Sequence, residues 1–169
     1  DSVVMDTCSV KTYPAKWMKE YIGKDIYKIA THPMFGPDSG RNGLEGLSLV
    51  MCPISPIDDR YIAIKTLFLD MGLKVLEMSE REHDEEAAYS QGVTHFVGRV
   101  LDEMKLQPTE IATQGYRSLM TIVEQTCNDP LQLFYDLQRY NPYAKEMRLS
   151  LQVAIEKVLN RLAKEEDKI

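Results

Sequence analysis

The stretch "KVLEMSERE", residues 74–82, divides the chain. Its first half is a short, mainly apolar run of strand character. Its second half has the S-x-x-E form of a capping box, in which a serine and a glutamate satisfy each other's backbone donors at a helix start. Toward the amino terminus, "SVVMD" (2–6), "YKIAT" (27–31) and "LSLVMCPI" (47–54) also read as strands, nearly continuous in apolar residues as when both sheet faces are covered. Pro14 suits the first turn of a helix, "PAKWMKEYI", that stops at Gly23, and Asp58 and Asp59 open a second helix closed by Gly72. Strands separated by helices predict an α/β layer with parallel pairing.

Toward the carboxyl terminus the pattern is helical throughout. One helix runs from Ser79 to about Lys105, and a second follows Pro108 to about Cys127. "NDP" (128–130) and "NP" (141–142) pair a capping residue with a proline and mark two more starts. The last helix carries Met147, Leu151, Ala154, Ile155, Val158 and Leu162 at helical spacing, an apolar stripe several turns long. The expected organisation is therefore α/β over 1–78 and all-α over 79–169.

Among the 169 residues, 44% are apolar and 27% charged, the balance of a globular chain rather than a disordered one. A net charge of −6 argues against nucleic acid or an anionic membrane as the main partner. No apolar run approaches the ~18 residues that span a bilayer. Cys8, Cys52 and Cys127 are odd in number and widely spaced, which favours a reducing compartment, the cytoplasm, over a disulfide framework.

His32 stands at the end of the second strand, in "IATHPMFGPDSG" (29–40), on the edge where α/β sheets bind ligands. Pro33 pushes it toward an extended backbone. It reads as a functional base or as a loop histidine bonded to its own backbone. Asp84, Gln91 and His95 are spaced to share one helix face with the small Ala88, either as a site or as a solvated polar face. His83 and His95 lie about 18 Å apart along such a helix and cannot share a metal ion. Arg117 falls in an apolar helix, where its charge needs either an internal carboxylate or a bound anion. Ser9 and Lys11 follow the first strand and so lie on the same edge as His32. The glycines of "GPDSGRNGLEG" (36–46) lack the G-x-G-x-x-G spacing of a dinucleotide fingerprint.

"DTCSVK", "HPMFGPDSG", "EHD", "QGVTHF" and "GYR" occur in the order seen in prephenate and arogenate dehydrogenases. By them the chain resembles that family of tyrosine-pathway enzymes over essentially its whole length. "GRVLDEMKL", "TIVEQT" and "DPLQLFYDLQRYNPYA" look closest to the arogenate branch, Arg117 to the prephenate-using bacterial enzymes. The resemblance implies a Rossmann-like sheet followed by a helical dimerisation domain of the 6-phosphogluconate dehydrogenase C-terminal kind. It also implies an oxidative decarboxylation, with hydride passing to NAD or NADP and the ring carboxylate leaving as CO2.

On that resemblance His32 accepts the proton of the ring hydroxyl, and Ser9 bonds the same hydroxyl or orients the imidazole. Arg117 binds a substrate carboxylate, His95 and Gln91 line the pocket, and Asp84 polarises or positions it. Ser9 is also the one residue on the cofactor side. Because the family's glycine-rich motif has no counterpart here, the chain is expected to be a carboxyl-terminal portion without the nucleotide motif, one that does not hold the cofactor tightly. The alternative is a non-catalytic dimerisation or ligand-binding module that has lost its cofactor half. A small-molecule substrate, a homodimer through the helical domain, no nucleic-acid or membrane partner and no metal complete the expectations.

Overall fold

A computed structural model describes residues 2–166 and 168, with the side chains of 37 and 38 excepted. The chain divides into two units, Asp1–Glu86 and Ala87–Ile169. The boundary falls beyond the expected break after residue 78. The helix that starts at Ser79 bonds through His83 and Asp84 to groups of the first unit, and so belongs with the sheet.

The first unit runs β1 (Val3–Met5), α1 (Thr12–Tyr21), β2 (Tyr27–Pro33), α2 (Pro37–Gly40), β3 (Ser48–Pro53), α3 (Asp59–Asp70), β4 (Lys74–Glu77) and α4 (Glu80–Ala87). The strands lie in the order β1-β2-β3-β4, so β1 and β4 are the edges. β1 pairs parallel with β2, and β3 parallel with β4, as strands joined through α1 and α3 should. The central pair β2–β3 is antiparallel, which corrects the expectation of a parallel sheet throughout. The cause lies in the connection: α2 is a four-residue turn, too short to carry the chain across a sheet face and back. Instead Gly43 and Gly46, at φ 119° and 75°, turn the chain back on itself.

Side chains alternate across the sheet. Tyr27 and Ile29 of β2, with Leu49 and Met51 of β3, pack with Tyr61, Ile64 and Phe68 of α3. On the other face Ala30, Val50 and Cys52 pack with Ala15 of α1. This alternation puts His32 on the α1 face, two residues past Ala30. His32 also lies within the strand rather than in the loop after it, paired with Val50, because the ladder continues to Pro33 opposite Leu49. The helix starts follow the sequence signals. Asp58 accepts from the Arg60 N–H at 3.0 Å and caps α3, and Ser79 and Glu82 form the reciprocal capping box before α4.

The second unit opens with a π-helical turn (Ala88–Gly92) and continues as α5 (Val93–Glu103), α6 (Gln114–Asn128), α7 (Leu131–Tyr140) and α8 (Ala144–Glu166). The π turn interrupts the α winding on which a common face for Asp84 and His95 depended. α6 begins later than Pro108 suggests, at the Thr113 cap, whose hydroxyl accepts from the Tyr116 N–H at 3.2 Å. α5 packs on α6 through Gly98, where an added Cβ would sit 3.0 Å from the Thr126 Cβ. On α8, Ala144 and Met147 are buried, whereas Leu149, Ile155, Val158, Leu159 and Leu162 are exposed.

Candidate active site

A connected set of buried polar groups lies along the α1 face of the first unit. Asp84, fully buried on α4, accepts the Lys11 N–H at 2.7 Å and the Thr12 N–H at 2.8 Å, the first backbone donors of α1. The same carboxylate lies 2.9 Å from His83 Nδ1, and His83 Nε2 lies 2.8 Å from His32 Nδ1. The two rings meet edge to face with centroids 5.1 Å apart. Lys11, also fully buried, directs its ammonium to the Asp6 carboxylate and, at 2.6 Å, to the Thr31 carbonyl. Asp6 in turn accepts the Thr31 N–H at 2.9 Å, so the residue before His32 is fixed from both sides.

Electrostatics set the protonation states. Burial, helped by the neighbouring His83 and Lys11 and opposed by Asp84, pulls the His32 imidazolium down to a pKa of about 3, so the ring is neutral at physiological pH. Burial works against ionisation of Asp84. The hydrogen bonds from His83, Thr12 and Lys11 outweigh it and hold the carboxyl below its usual range. The outcome is a neutral imidazole at the carboxyl end of β2, linked through a second imidazole to an ionised carboxylate. Such a group can accept a proton from a hydroxyl.

In the second unit, Gln91 on the π turn and His95 and Arg99 on α5 follow one another at four-residue intervals. Each has a buried polar atom with no partner: Gln91 Oε1, His95 Nδ1 and Arg99 Nε. Such atoms are costly unless something bonds them, and they are where a polar ligand would be held. His95 Nε2 lies 3.8 Å from the Asp129 carboxylate, and burial lowers the pKa of the ring. Arg117 is exposed in the first turn of α6 and lines a cavity of about 520 Å³ with Thr109, Tyr116, Met120 and Glu124. This corrects the reading of a buried charge. α6 starts only at Gln114, so Arg117 stands at the helix's open end. His95 faces Asp129 at the far end of α6, so the two residues mark opposite ends of that helix.

Two further expectations change. Asp84 was assigned to the substrate pocket, yet it is fully enclosed and committed to α1 and His83, so it reaches His32 only through His83. Ser9, half-buried in the β1–α1 loop, was a candidate to orient the imidazole, but His83 takes His32 Nδ1. Sequence reasoning weighed His83 only as a metal ligand and gave it no site role, and it missed Arg99. The "HD" dipeptide just inside the capping box was the available signal for the first, and the four-residue step from His95 for the second. Among the described residues no group of three or more His, Cys, Asp or Glu is arranged to hold a metal ion. No described helix is long and apolar enough to cross a membrane.

The chain is thus a mixed open sheet followed by an all-helical region, with a buried neutral histidine at the carboxyl end of a strand. Residues 1–77 match the model "Prephenate dehydrogenase, nucleotide-binding domain", and residues 100–169 match "TYRAAT1-like, C-terminal domain". Arogenate dehydrogenase 1, chloroplastic, of Arabidopsis thaliana is 39% identical over 95% of this chain and 26% of its own length. The crystal structure of Synechocystis arogenate dehydrogenase superposes with a TM-score of 0.70 at 18% identity, over 97% of this chain and 63% of that one. Prephenate dehydrogenase from A. aeolicus, in complex with hydroxyphenyl propionate and NAD+, gives 0.68 at 23% identity, over 97% and 59%. The chain thus spans about a quarter of the Arabidopsis protein and about three-fifths of the two crystallised chains.

The fold is of the prephenate dehydrogenase kind. The expectation of a carboxyl-terminal portion without the nucleotide motif is corrected, since residues 1–77 match the model of the nucleotide-binding domain, which is therefore present and not absent. Of the alternative, a non-catalytic dimerisation or ligand-binding module that has lost its cofactor half, the loss of that half is overturned by the same match.

Proposed function

We propose that the protein takes part in the oxidative decarboxylation of prephenate or arogenate, with His32 as the general base. The observation that carries this reading is the buried, neutral His32, whose Nδ1 is engaged by His83 so that Nε2 remains to accept a proton. The ring hydroxyl of the substrate gives its proton to Nε2 as the carbon that bears it loses hydride. The ring carboxylate leaves as CO2, and its bonding electrons complete the aromatic ring. NAD+ or NADP+, when bound, supplies the hydride acceptor.

The residues at the carboxyl end of β1 fit the nicotinamide end of such a cofactor. Thr7 and Cys8 are exposed, Ser9 is half-buried, and all are small enough for a planar ring to come close. Ser9 hydrogen-bonds the substrate hydroxyl beside His32. Gln91 and His95, with their unpartnered buried atoms, hold the polar groups of the substrate, and Arg117 takes a carboxylate at the mouth of its cavity. The free thiols of Cys8, Cys52 and Cys127 suit a reducing compartment, the cytoplasm on our reading. A second copy of the chain covers the exposed apolar residues of α8, making a homodimer.

Steady-state turnover of both acids with each nicotinamide nucleotide tests the central assignment. His32→Asn should lower kcat by about 10²-fold or more, the usual worth of a general base, and leave KM within about twofold. An unchanged kcat would remove His32 from the reaction. Arg117→Ala should instead raise KM about tenfold or more, because a carboxylate anchor acts mainly in binding. A KM within about twofold of the parent would count against that role.

A further inference from the structure

We propose that His83 is a positioning residue that fixes which nitrogen of His32 is basic, holding it as the Nδ1–H tautomer with Nε2 bare. This rests on the reading of His32 as the base and adds to it the element that sets the direction of proton transfer.

The argument starts at Asp84. An ionised carboxylate can only accept, and two of the bonds it accepts come from the Lys11 and Thr12 amides at the positive end of α1, which favours the charged form. The proton between Asp84 and His83 therefore sits on His83 Nδ1. A neutral imidazole that donates from Nδ1 has a bare Nε2, so His83 can only accept on that side. The proton in the 2.8 Å contact between the rings must then belong to His32 Nδ1. The reverse polarity would need His83 protonated at both nitrogens, a second cation in a buried region that already holds the Lys11 ammonium. One carboxylate thus dictates the tautomer of two rings in series.

Other titratable groups around this site, among the described residues, are Asp6 and Lys11, from the β1–α1 segment, Cys52, from β3 on the same sheet face, and Glu80 of α4, which interacts with Asp84. Asp6 and Lys11 bond each other, which leaves the ring nitrogens to His83. Free imidazole side chains favour the opposite tautomer, with the proton on Nε2. A histidine in that state would present a donor, not an acceptor, to the substrate hydroxyl.

Long-range proton–nitrogen NMR correlation on the 15N-labelled chain near neutral pH reads the tautomer directly. The parent should show His32 protonated at Nδ1 and unprotonated at Nε2. His32 protonated at Nε2 in the parent overturns the proposal with no substitution needed. His83→Leu should switch His32 to the Nε2–H form. His83→Gln should restore the parent form, since one amide can donate to Asp84 while its oxygen accepts from His32. A His83→Leu spectrum that still shows Nδ1–H also overturns the proposal.

In the turnover assay His83→Leu should lower kcat by about 10²-fold with KM little changed, and His83→Gln should recover most of it. Added to His32→Asn, His83→Leu should cost nothing further, because it acts only through that ring. If His32→Asn is itself active, the reading of the base fails. If His32→Asn is inactive while His83→Leu keeps full kcat, only the role of His83 fails.

Discussion

Asp84 serves two structures at once: it ends the unsatisfied amides of α1, and it anchors the chain of imidazoles that reaches His32. The charge states that follow make stability depend on pH in a definite sense. His32 has an ordinary pKa near 6.5 when unfolded and about 3 when folded, so between those values the unfolded chain binds a proton that the folded chain refuses. Stability contributed by His32 is complete above about pH 6.5 and is lost as pH falls toward 3, by at most about 1.4 kcal/mol per pH unit. His95, shifted in the same direction, adds to the trend. Thermal unfolding at about pH 7 and about pH 5 should therefore show a smaller drop in Tm for His32→Asn than for the parent. Equal drops would mean that the ring is not held neutral. At this scale the sequence was partly legible. The strand-end position of His32 picked it out, but the bond to His83 joins residues 51 positions apart. Asp84 was misjudged because helix spacing says which residues share a face and not which one turns inward to cap another helix.

Elements were read most accurately where a local hydrogen bond defines them. The Ser79–Glu82 capping box and the Asp58 cap start α4 and α3 where the sequence puts them. The late start of α6 and the antiparallel β2–β3 pair were not legible. The first depends on Thr113 rather than on the more conspicuous Pro108, and the second on how little helix the β2–β3 connection contains. The α5–α6 contact gives a prediction of its own. A Cβ on Gly98 would press on the Thr126 side chain, whose hydroxyl is already bonded to the Ile122 carbonyl at 2.8 Å. Gly98→Ala should gain up to ~1 kcal/mol in helix propensity and lose ~1–3 kcal/mol to overpacking. The net expectation is a Tm lowered by a few degrees, measured by circular dichroism. A raised Tm would show that the two helices can separate at no cost.

At the scale of the whole molecule, α8 carries an apolar stripe that lies uncovered in the single chain. A helix of 23 residues with only Ala144 and Met147 buried leaves Ile155, Val158, Leu159 and Leu162 about half exposed, which is far more apolar surface than a lone helix carries in water. The apolar spacing was plain in the sequence, but a single chain cannot say whether such a stripe meets its own core or another copy. Sedimentation should find a dimer in the parent and a monomer in the double variant Ile155→Asp, Leu162→Asp, with helix content unchanged. A parent that stays monomeric at about 100 μM would sink the proposal, since a specific stable interface of ordinary size holds well below that concentration. The sheet carries a separate consequence. With β1 and β4 each flanked on one side only, two rows of backbone amides and carbonyls end at the rims of the ladder, and Met5 stands half uncovered on one of them. Handled in isolation, the chain offers these rims as templates for strand-by-strand growth, a route to insoluble aggregates that charged residues on α8 would leave untouched.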